Sequence, residues 1–272
     1  MAVNAEKLAT CDPIWSAMRE QARELAKSEP ALASFVHATI LNHERLEDAL
    51  SYHLAKKIGC DDISPMLARE IFVQAINADT SIGEAVRADL AAVYDRDPAC
   101  HSHVQAFLFF KGFHALECYR ISHWLWTQDR EGMALFFQSR ISELFDVDIH
   151  PGAKFGRGIM IDHATGVVVG ETAVVEDDVS IMHGVTLGGT GKEAGDRHPK
   201  IRRGVLLSMG AKILGNIEVG EYSRVGASSV VLQSVPPGCT AVGVPAKLVN
   251  CAGSDRPSQD MNQVIDEAGQ GI

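Results

Sequence analysis

Residues 159–185 read IMIDHATGVVVGETAVVEDDVSIMHGV, and every sixth residue of this stretch, counted from position 161, is apolar. The same phase extends back to position 149, and it resumes between positions 201 and 231. The positions in phase are Ile149, Phe155, Ile161, Val167, Ala173, Val179, Val185, Ile201, Leu207, Ile213, Val219, Val225 and Val231. A period of six fits neither an α-helix nor a simple meander. It predicts a solenoid of very short strands, in which each hexad forms one side of a triangular coil.

The hexad pattern is interrupted once. After Val185 an unbroken pattern would place the next apolar residue at position 191, but the phase resumes only at Ile201, ten positions later. The extra material lies in LGGTGKEAGDRHPK, a polar, glycine-rich and charged stretch, and we place an inserted loop at 188–200. A loop projecting from a rigid solenoid is a common place for binding groups.

The first half of the chain has a helical pattern. In ALASFVHATILNHERLEDALSYHLAKKI apolar residues recur three and four apart, and HVQAFLFFKGFHALECYRISHWLWT predicts one further long helix. We expect roughly six to eight helices over residues 1–145, the solenoid over 146–250 and a flexible tail over 251–272. The fold class is therefore α+β, an N-terminal all-α domain followed by a parallel β-helix of hexapeptide repeats.

Composition limits the classes of function. The formal net charge of −10 argues against a nucleic-acid partner. The first residues contain no apolar segment of the kind found in signal sequences, so we expect none, and no apolar run reaches the roughly 18 residues that span a bilayer. The six cysteines include no C-x-x-C pair, so we expect reduced thiols, a cytoplasmic protein and neither a disulfide framework nor a zinc ribbon.

Several segments carry a family resemblance. DIHPGAKFGRGIMIDHATGVVVGETAVVEDDVSI, VTLGGTGKEAGDRHPKIRRG, GAKILGNIEVG and GVPAKLV closely resemble serine O-acetyltransferases, the hexapeptide-repeat enzymes that start cysteine biosynthesis. The match continues upstream through FKGFHALECYRISHWLW and EPALASFVHATILNHERLEDALSYHLAKK. The resemblance implies a left-handed β-helix, trimers formed through the β-helices and hexamers formed by pairing trimers through the helical domains.

Acetyl transfer from a thioester to a hydroxyl requires a base, because a hydroxyl is a poor nucleophile near neutral pH. Histidine, with an ordinary pKa near ~6.5, suits this role when a carboxylate orients its other ring nitrogen. We predict His163 as the base and Asp148 as its orienting carboxylate, which are also the positions that match the family's catalytic dyad. Asp148 precedes His163 by a little under one coil of three hexads, so stacked coils would bring the two near each other.

The acceptor L-serine has an ammonium, a carboxylate and a hydroxyl. Asp97 and Asp162 match the family residues that contact this amino acid, and their charge suits the ammonium. Arg197 and His198, in the inserted loop, match the residues that hold the carboxylate, and His198 is also a candidate for assisting catalysis. We interpret Glu171 as structural.

The resemblance also implies acetyl-CoA as the co-substrate, with no permanently bound cofactor and no metal. Coenzyme A would lie along the solenoid between subunits, held mostly by backbone groups. The matching positions are Gly189, Met209, Arg224 and Ala227. The sequence departs from the usual pattern here, since it has LLSMGAKILG and EYSRVGASSVV where smaller residues are common. We interpret His183 as lining the subunit interface.

The tail ends in Gly271 and Ile272. In the family a terminal isoleucine with its free carboxylate enters the active site of the next enzyme, O-acetylserine sulfhydrylase, because it resembles an amino-acid substrate. The resemblance therefore implies this partner, bound through Ile272. It also implies feedback inhibition by L-cysteine at the serine subsite, since a thiol replaces a hydroxyl with little change of shape.

Three alternatives stay open. The first is a hexapeptide acyltransferase with another hydroxyl acceptor, such as a sugar. The second is a γ-type carbonic anhydrase-like zinc enzyme, which His150, His163, His183 and His198 suggest, although no H-x4-H pair occurs. The third is a non-catalytic scaffold, which would require the loss of Asp148 or His163.

Overall fold

The helical half comes first in the computed structural model, which describes residues 12–191, 194–251 and 256–263. Its α-helices are α1 (Pro13–Ser28), α2 (Ala33–Val36), α3 (Leu46–Ile58), α4 (Pro65–Ala78), α5 (Thr80–Arg96), α6 (His103–Phe109), α7 (Lys111–Thr127) and α8 (Glu131–Phe145). A 3₁₀ turn, Pro30–Leu32, precedes α2, and a π-helical turn, His37–Leu41, follows it. None of the helices in the described ranges is both long enough and apolar enough to cross a membrane.

The expected single helix over 103–127 is two helices, because the chain bends at Phe110, whose φ of −86° and ψ of 111° are extended. The bend presses the first turn of α7 against the solenoid. A Cβ added to Gly112 would lie 2.0 Å from the carbonyl oxygen of Ile161, so only glycine permits this approach. The helix therefore meets the solenoid at the residue immediately before Asp162.

The second half is a parallel β-solenoid, as the period of six predicts. Its strands are β1 (Val147–Ile149), β2 (Lys154–Phe155), β3 (Met160–Asp162), β4 (Val167–Val169), β5 (Val174–Val175), β6 (Ser180–Met182), β7 (Thr186–Gly188), β8 (Lys200–Ile201), β9 (Leu206–Leu207), β10 (Lys212–Leu214), β11 (Glu218–Val219), β12 (Arg224–Val225), β13 (Val230–Val231), β14 (Thr240–Gly243) and β15 (Ala246–Val249). They form three sheets: sheet A is β1-β4-β7-β10-β13, sheet B is β11-β8-β5-β2, and sheet C is β15-β14-β12-β9-β6-β3. The in-phase apolar residues are buried inside the prism except Phe155, which is partly buried against the helices.

Coil length varies, and the variation decides which side chains meet. Val147 pairs with Val167, whereas Val168 pairs with Thr186, so the first coil is two residues longer than the coil that begins at Val168. The latter coil has the length of three hexads. Val174 pairs with Lys200, so the inserted loop adds eight residues to a coil of three hexads rather than the ten expected from the sequence.

The solenoid ends in an antiparallel hairpin, β14–β15, in which Thr240 pairs with Val249. Cys239 precedes this hairpin and Cys251 follows it, and a disulfide joins them. The expectation of reduced thiols is therefore wrong for these two residues. Pairing of the hairpin strands brings together two cysteines that are 12 residues apart in the sequence. Cys60, Cys100 and Cys118 are free thiols.

A buried charge network joins the two halves. Arg120 of α7 donates to Asp89 of α5 at 3.0 Å and to the carbonyl of Gly156 at 2.8 Å, and Asp89 accepts from the backbone N–H of Ile159 at 2.7 Å. Glu117 lies beside this pair, and burial together with the Asp89 carboxylate raises its pKa well above the ordinary value. The network fixes α5 and α7 against the chain that enters β3.

Candidate active site

His163 lies at the corner that follows β3, where sheet C gives way to sheet A. Its φ of +55° and that of Ala164, +61°, are left-handed. The two additional residues of the first coil are accommodated in this corner, which projects the imidazole away from the prism. The side chain is 75% exposed in the single chain, and its Nε2 lies 3.9 Å from Oδ1 of Asp162.

His163 lies near Asp162 and His183, and the charge of Asp97 acts on Asp162. We call these four residues the acidic cluster: Asp97, Asp162, His163 and His183. The His183 ring packs edge-on to His163 with centroids 5.9 Å apart, and its buried Nδ1 has no hydrogen-bond partner among the described residues. Asp97 ends α5, which Arg96 ties to sheet C through a 3.1 Å hydrogen bond to Ser180. Burial, assisted by the Asp97 charge, outweighs the nearby His163 and raises the pKa of Asp162.

A second group lies at another corner, between β4 and β5, where sheet A gives way to sheet B. We call it the arginine cluster: His150, Glu171, Thr172, Arg197 and His198. Nη2 of Arg197 donates to Oε2 of Glu171 at 2.7 Å. The backbone N–H groups of Arg197 and His198 donate to Oγ1 of Thr172 at 3.0 and 3.1 Å. The end of the inserted loop is thus fixed to the coil below it.

The contacts of His198 determine its tautomer. Nδ1 accepts from the backbone N–H of Thr172 at 3.2 Å and lies 2.9 Å from the Thr172 hydroxyl, so the ring proton resides on Nε2. Burial, followed by the Arg197 charge, lowers the pKa of His198. The imidazole is therefore neutral near pH 7 and presents Nε2–H as a hydrogen-bond donor. Nε2 lies over Gly170, where an added Cβ would come within 2.0 Å of it.

Asp148 lies in β1 on sheet A, between the two corners. Its Oδ1 accepts a 2.6 Å hydrogen bond from Nε2 of Gln138 in α8. The Asp148 charge also acts on His150. Burial lowers the pKa of His150. Across residues 12–191, 194–251 and 256–263, no hydrogen bond or ion pair links Asp148 to His163 within one chain. Asp148 pairs with Val168, five residues beyond His163.

The predicted coenzyme positions lie mostly along the corner that carries His163. The N–H of Gly210 donates to the carbonyl of His183 at 2.9 Å, and that of Ser228 donates to Met209 at 2.8 Å. Met209 and Ala227 therefore continue the column that His163 and His183 begin. Met209 is 36% exposed, and it gives the column an apolar surface. Arg224 lies in β12, just before this corner, whereas Gly189 begins the inserted loop beside Arg197.

The sequence gives no sign of the contacts made by Glu171, which we interpret as structural, or of those made by Thr172 and Gln138. Glu171 and Thr172 contact residues 26 positions later, and only the length of the inserted loop reveals that offset. No group of three or more His, Cys, Asp or Glu side chains within the described part of the chain could hold a metal ion. Ile272 lies outside the described residues.

Residues 14–118 match the family described as "Serine acetyltransferase, N-terminal". The chain is 56% identical over 250 residues to serine acetyltransferase of Salmonella typhimurium, and the match covers 92% of each chain. A solved serine acetyltransferase in complex with cysteine is 54% identical, with a TM-score of 0.92 over 93% of this chain and 98% of that one. Serine acetyltransferase of Brucella abortus in complex with coenzyme A gives 51% identity and a TM-score of 0.88, covering 89% of this chain and 97% of that one. Soybean serine acetyltransferase in complex with serine is 53% identical, with a TM-score of 0.85, and the match covers 87% of this chain and 97% of that one.

Proposed function

The chain belongs to the serine acetyltransferase family, and from that premise we propose how its two clusters work together. It is an acyltransferase that moves the acetyl group of acetyl-CoA to the hydroxyl of L-serine, giving O-acetyl-L-serine and CoA. The observation that carries the proposed mechanism is the complementary charge of the clusters. Carboxylates flank His163 in one cluster and a guanidinium flanks His198 in the other, matching the two ends of a zwitterionic amino acid.

Binding of serine uses both clusters. Asp97 and Asp162 receive the ammonium, while Arg197 and Nε2–H of His198 hold the carboxylate. Arg197 has five N–H donors, of which one bonds Glu171 and one bonds the carbonyl of Gly195 at 3.1 Å. The remaining donors are sufficient for a bidentate carboxylate contact.

The chemical step is a proton-coupled attack. His163 takes the proton of the serine hydroxyl as its oxygen bonds to the thioester carbonyl carbon, and Asp148 holds the imidazole in the required orientation. The tetrahedral oxyanion then collapses, the carbon–sulfur bond breaks, and the imidazolium returns the proton to the CoA sulfur. General-base assistance of this kind contributes about 10²–10⁴-fold in rate.

The site is completed between subunits. The two clusters occupy different corners of the solenoid, and Asp148 has no contact with His163 within the described part of its own chain. Each active site therefore combines the acidic cluster of one chain with the arginine cluster of a neighbouring chain. A homotrimer with its axis along the solenoid repeats this contact three times. Pairing of trimers through the helical domains would give the hexamer. Acetyl-CoA then lies in the same cleft, along the column of His183, Met209 and Ala227, with Gly189 and Arg224 at its margins.

Two further proposals concern control. L-cysteine, which is bound in a solved relative, competes with serine because its thiol occupies the place of the hydroxyl. Ile272 binds O-acetylserine sulfhydrylase through its side chain and terminal carboxylate, which together resemble an amino-acid substrate.

The test is release of free CoA thiol from acetyl-CoA, with and without L-serine. We expect serine-dependent release that falls at least roughly a hundredfold in His163→Ala. His37→Ala, at an exposed histidine in the π-helical turn of the helical half, is the matched control and should retain activity. Wild-type protein without serine-dependent release would refute the function and favour another hydroxyl acceptor. Full activity in His163→Ala would assign the base elsewhere.

A further inference from the structure

The inserted loop carries Arg197 and His198 but has to be held against the solenoid. Side chains at the corner between β4 and β5 hold the C-terminal end of the inserted loop against the solenoid. Thr172 contributes most of these contacts: its Oγ1 accepts from two backbone N–H groups, and its carbonyl accepts from Nζ of Lys200 at 2.9 Å. Glu171 contributes the contact to the guanidinium.

We propose that Glu171 and Thr172 form a clamp of positioning residues that makes the site specific for acceptors bearing a carboxylate. Neither residue needs to touch the substrate. Thr172 sets the path of the backbone at Arg197 and His198 and holds the His198 ring with its proton on Nε2. Glu171 directs the guanidinium. This inference rests on the proposed function, since it takes Arg197 and His198 as the carboxylate ligands.

The clamp acts through geometry as well as charge. A planar guanidinium recognises a carboxylate bidentately only when its plane is fixed, and a long exposed side chain otherwise samples many rotamers. The side chain of Arg197 is half-buried, and two hydrogen bonds orient its guanidinium: Nη2 donates to Glu171 Oε2 at 2.7 Å and Nη1 donates to the carbonyl of Gly195 at 3.1 Å. The hydrogen bond from Arg197 also lowers the pKa of Glu171, so the carboxylate stays charged at neutral pH and keeps the contact.

The experiment compares L-serine with L-serinamide, which keeps the hydroxyl and the amine but has no carboxylate. We expect the wild type to prefer L-serine in kcat/KM. In Glu171→Ala and Thr172→Val this preference should fall by about tenfold or more, through a higher KM for L-serine, with the KM for acetyl-CoA within about twofold. Thr172→Ser keeps the hydroxyl and should restore the wild-type ratio.

The chain offers a matched control for the ion pair. Glu176 and Arg202 form a 2.6 Å contact between sheet B coils, at an exposure similar to that of Glu171 and Arg197. Glu176→Ala therefore removes an ion pair of similar length and exposure, together with a 3.1 Å bond from the Arg203 backbone N–H, at a place that does not contact Arg197. An unchanged preference in Glu171→Ala and Thr172→Val, or an equal loss in Glu176→Ala, would overturn the clamp.

A second measurement is independent of activity. Amide hydrogen exchange at Arg197 and His198 reports directly on the two bonds to Thr172 Oγ1. Exchange should be faster in Thr172→Val and unchanged in Thr172→Ser and Glu176→Ala. Should the wild type show no activity with L-serine, the proposed function fails, and these amides still decide whether the clamp exists. Equal exchange in wild type and Thr172→Val would refute it.

Discussion

His163 and His198 show how the environment gives one residue type two roles. His163 stands on an exposed left-handed corner with a carboxylate nearby, so its imidazole is accessible to a substrate hydroxyl. His198 is held by Thr172 through Nδ1, and burial lowers its pKa, so it presents a fixed donor instead. In the proposed mechanism, His163 therefore transfers the proton and His198 binds the substrate.

Gly170→Ala tests the fixed position of His198. Gly170 does not have a positive φ, so alanine fits the backbone, but its Cβ would occupy space within 2.0 Å of Nε2. The ring must move, and a displacement of about 1 Å can cost roughly 10²-fold in rate. We expect such a fall in kcat/KM for L-serine with little change in Tm. Gly132→Ala, where no described atom lies within 4 Å of the added Cβ, is the control. Wild-type kinetics in Gly170→Ala would contradict the placement of His198.

Helices α5 and α7 determine where β3 begins. Asp89 and Arg120 are buried, and together they bind the backbone at Gly156 and Ile159 immediately before the strand that carries Asp162. Tyr119 of α7 adds a hydrogen bond to the carbonyl of Ala153. The helical domain thus supports the acidic cluster, in addition to any part that it takes in assembly.

Asp89→Asn tests this support. Leaving a buried charge with no partner costs about 3–5 kcal/mol, but Asp89→Asn leaves Arg120 beside Glu117, whose Oε2 lies 3.4 Å from its Nε. We therefore expect the free energy of unfolding, measured in urea, to fall by about 2–3 kcal/mol, less than for a pair that loses its sole partner. Glu84→Gln is the control. Glu84 Oε2 lies 3.5 Å from Nη1 of Arg157 at the same junction, and both side chains are exposed. Exposed ion pairs of this kind contribute about 0–1 kcal/mol to stability. Equal stability of the two variants would argue against the network.

At the scale of the whole molecule, the sequence predicts the solenoid well because its period is repeated in every coil. The contacts between coils are less predictable, since two additional residues in the first coil and eight in the coil with the inserted loop shift which residues are stacked. From their spacing, Asp148 and His163 are expected to be neighbours, but they do not meet within the described part of one chain. The sequence also gives no indication of the contacts of Glu171. The bend at Phe110 and the Cys239–Cys251 disulfide depend on tertiary contacts that no local pattern encodes.

The proposed assembly of each site from two subunits predicts that two inactive variants restore each other's activity. His163→Ala damages the acidic cluster and Arg197→Ala damages the arginine cluster, so each alone should lose most activity. In trimers mixed at equal amounts, a site is intact when one variant supplies its acidic cluster and the other its arginine cluster. Every trimer that contains both variants then has about a third of its sites intact, because only one of its three contacts joins an undamaged acidic cluster to an undamaged arginine cluster.

The measurement uses two affinity tags and co-refolding, so that only mixed trimers are assayed for CoA release. A pair of variants in the same cluster, His163→Ala with Asp162→Ala, should restore nothing, since every site then takes its acidic cluster from a damaged chain. Mixed trimers that stay as inactive as the separate variants would show that both clusters serve a site within one chain. In that case Asp148 would have to reach His163 by a rearrangement of the corner between β3 and β4.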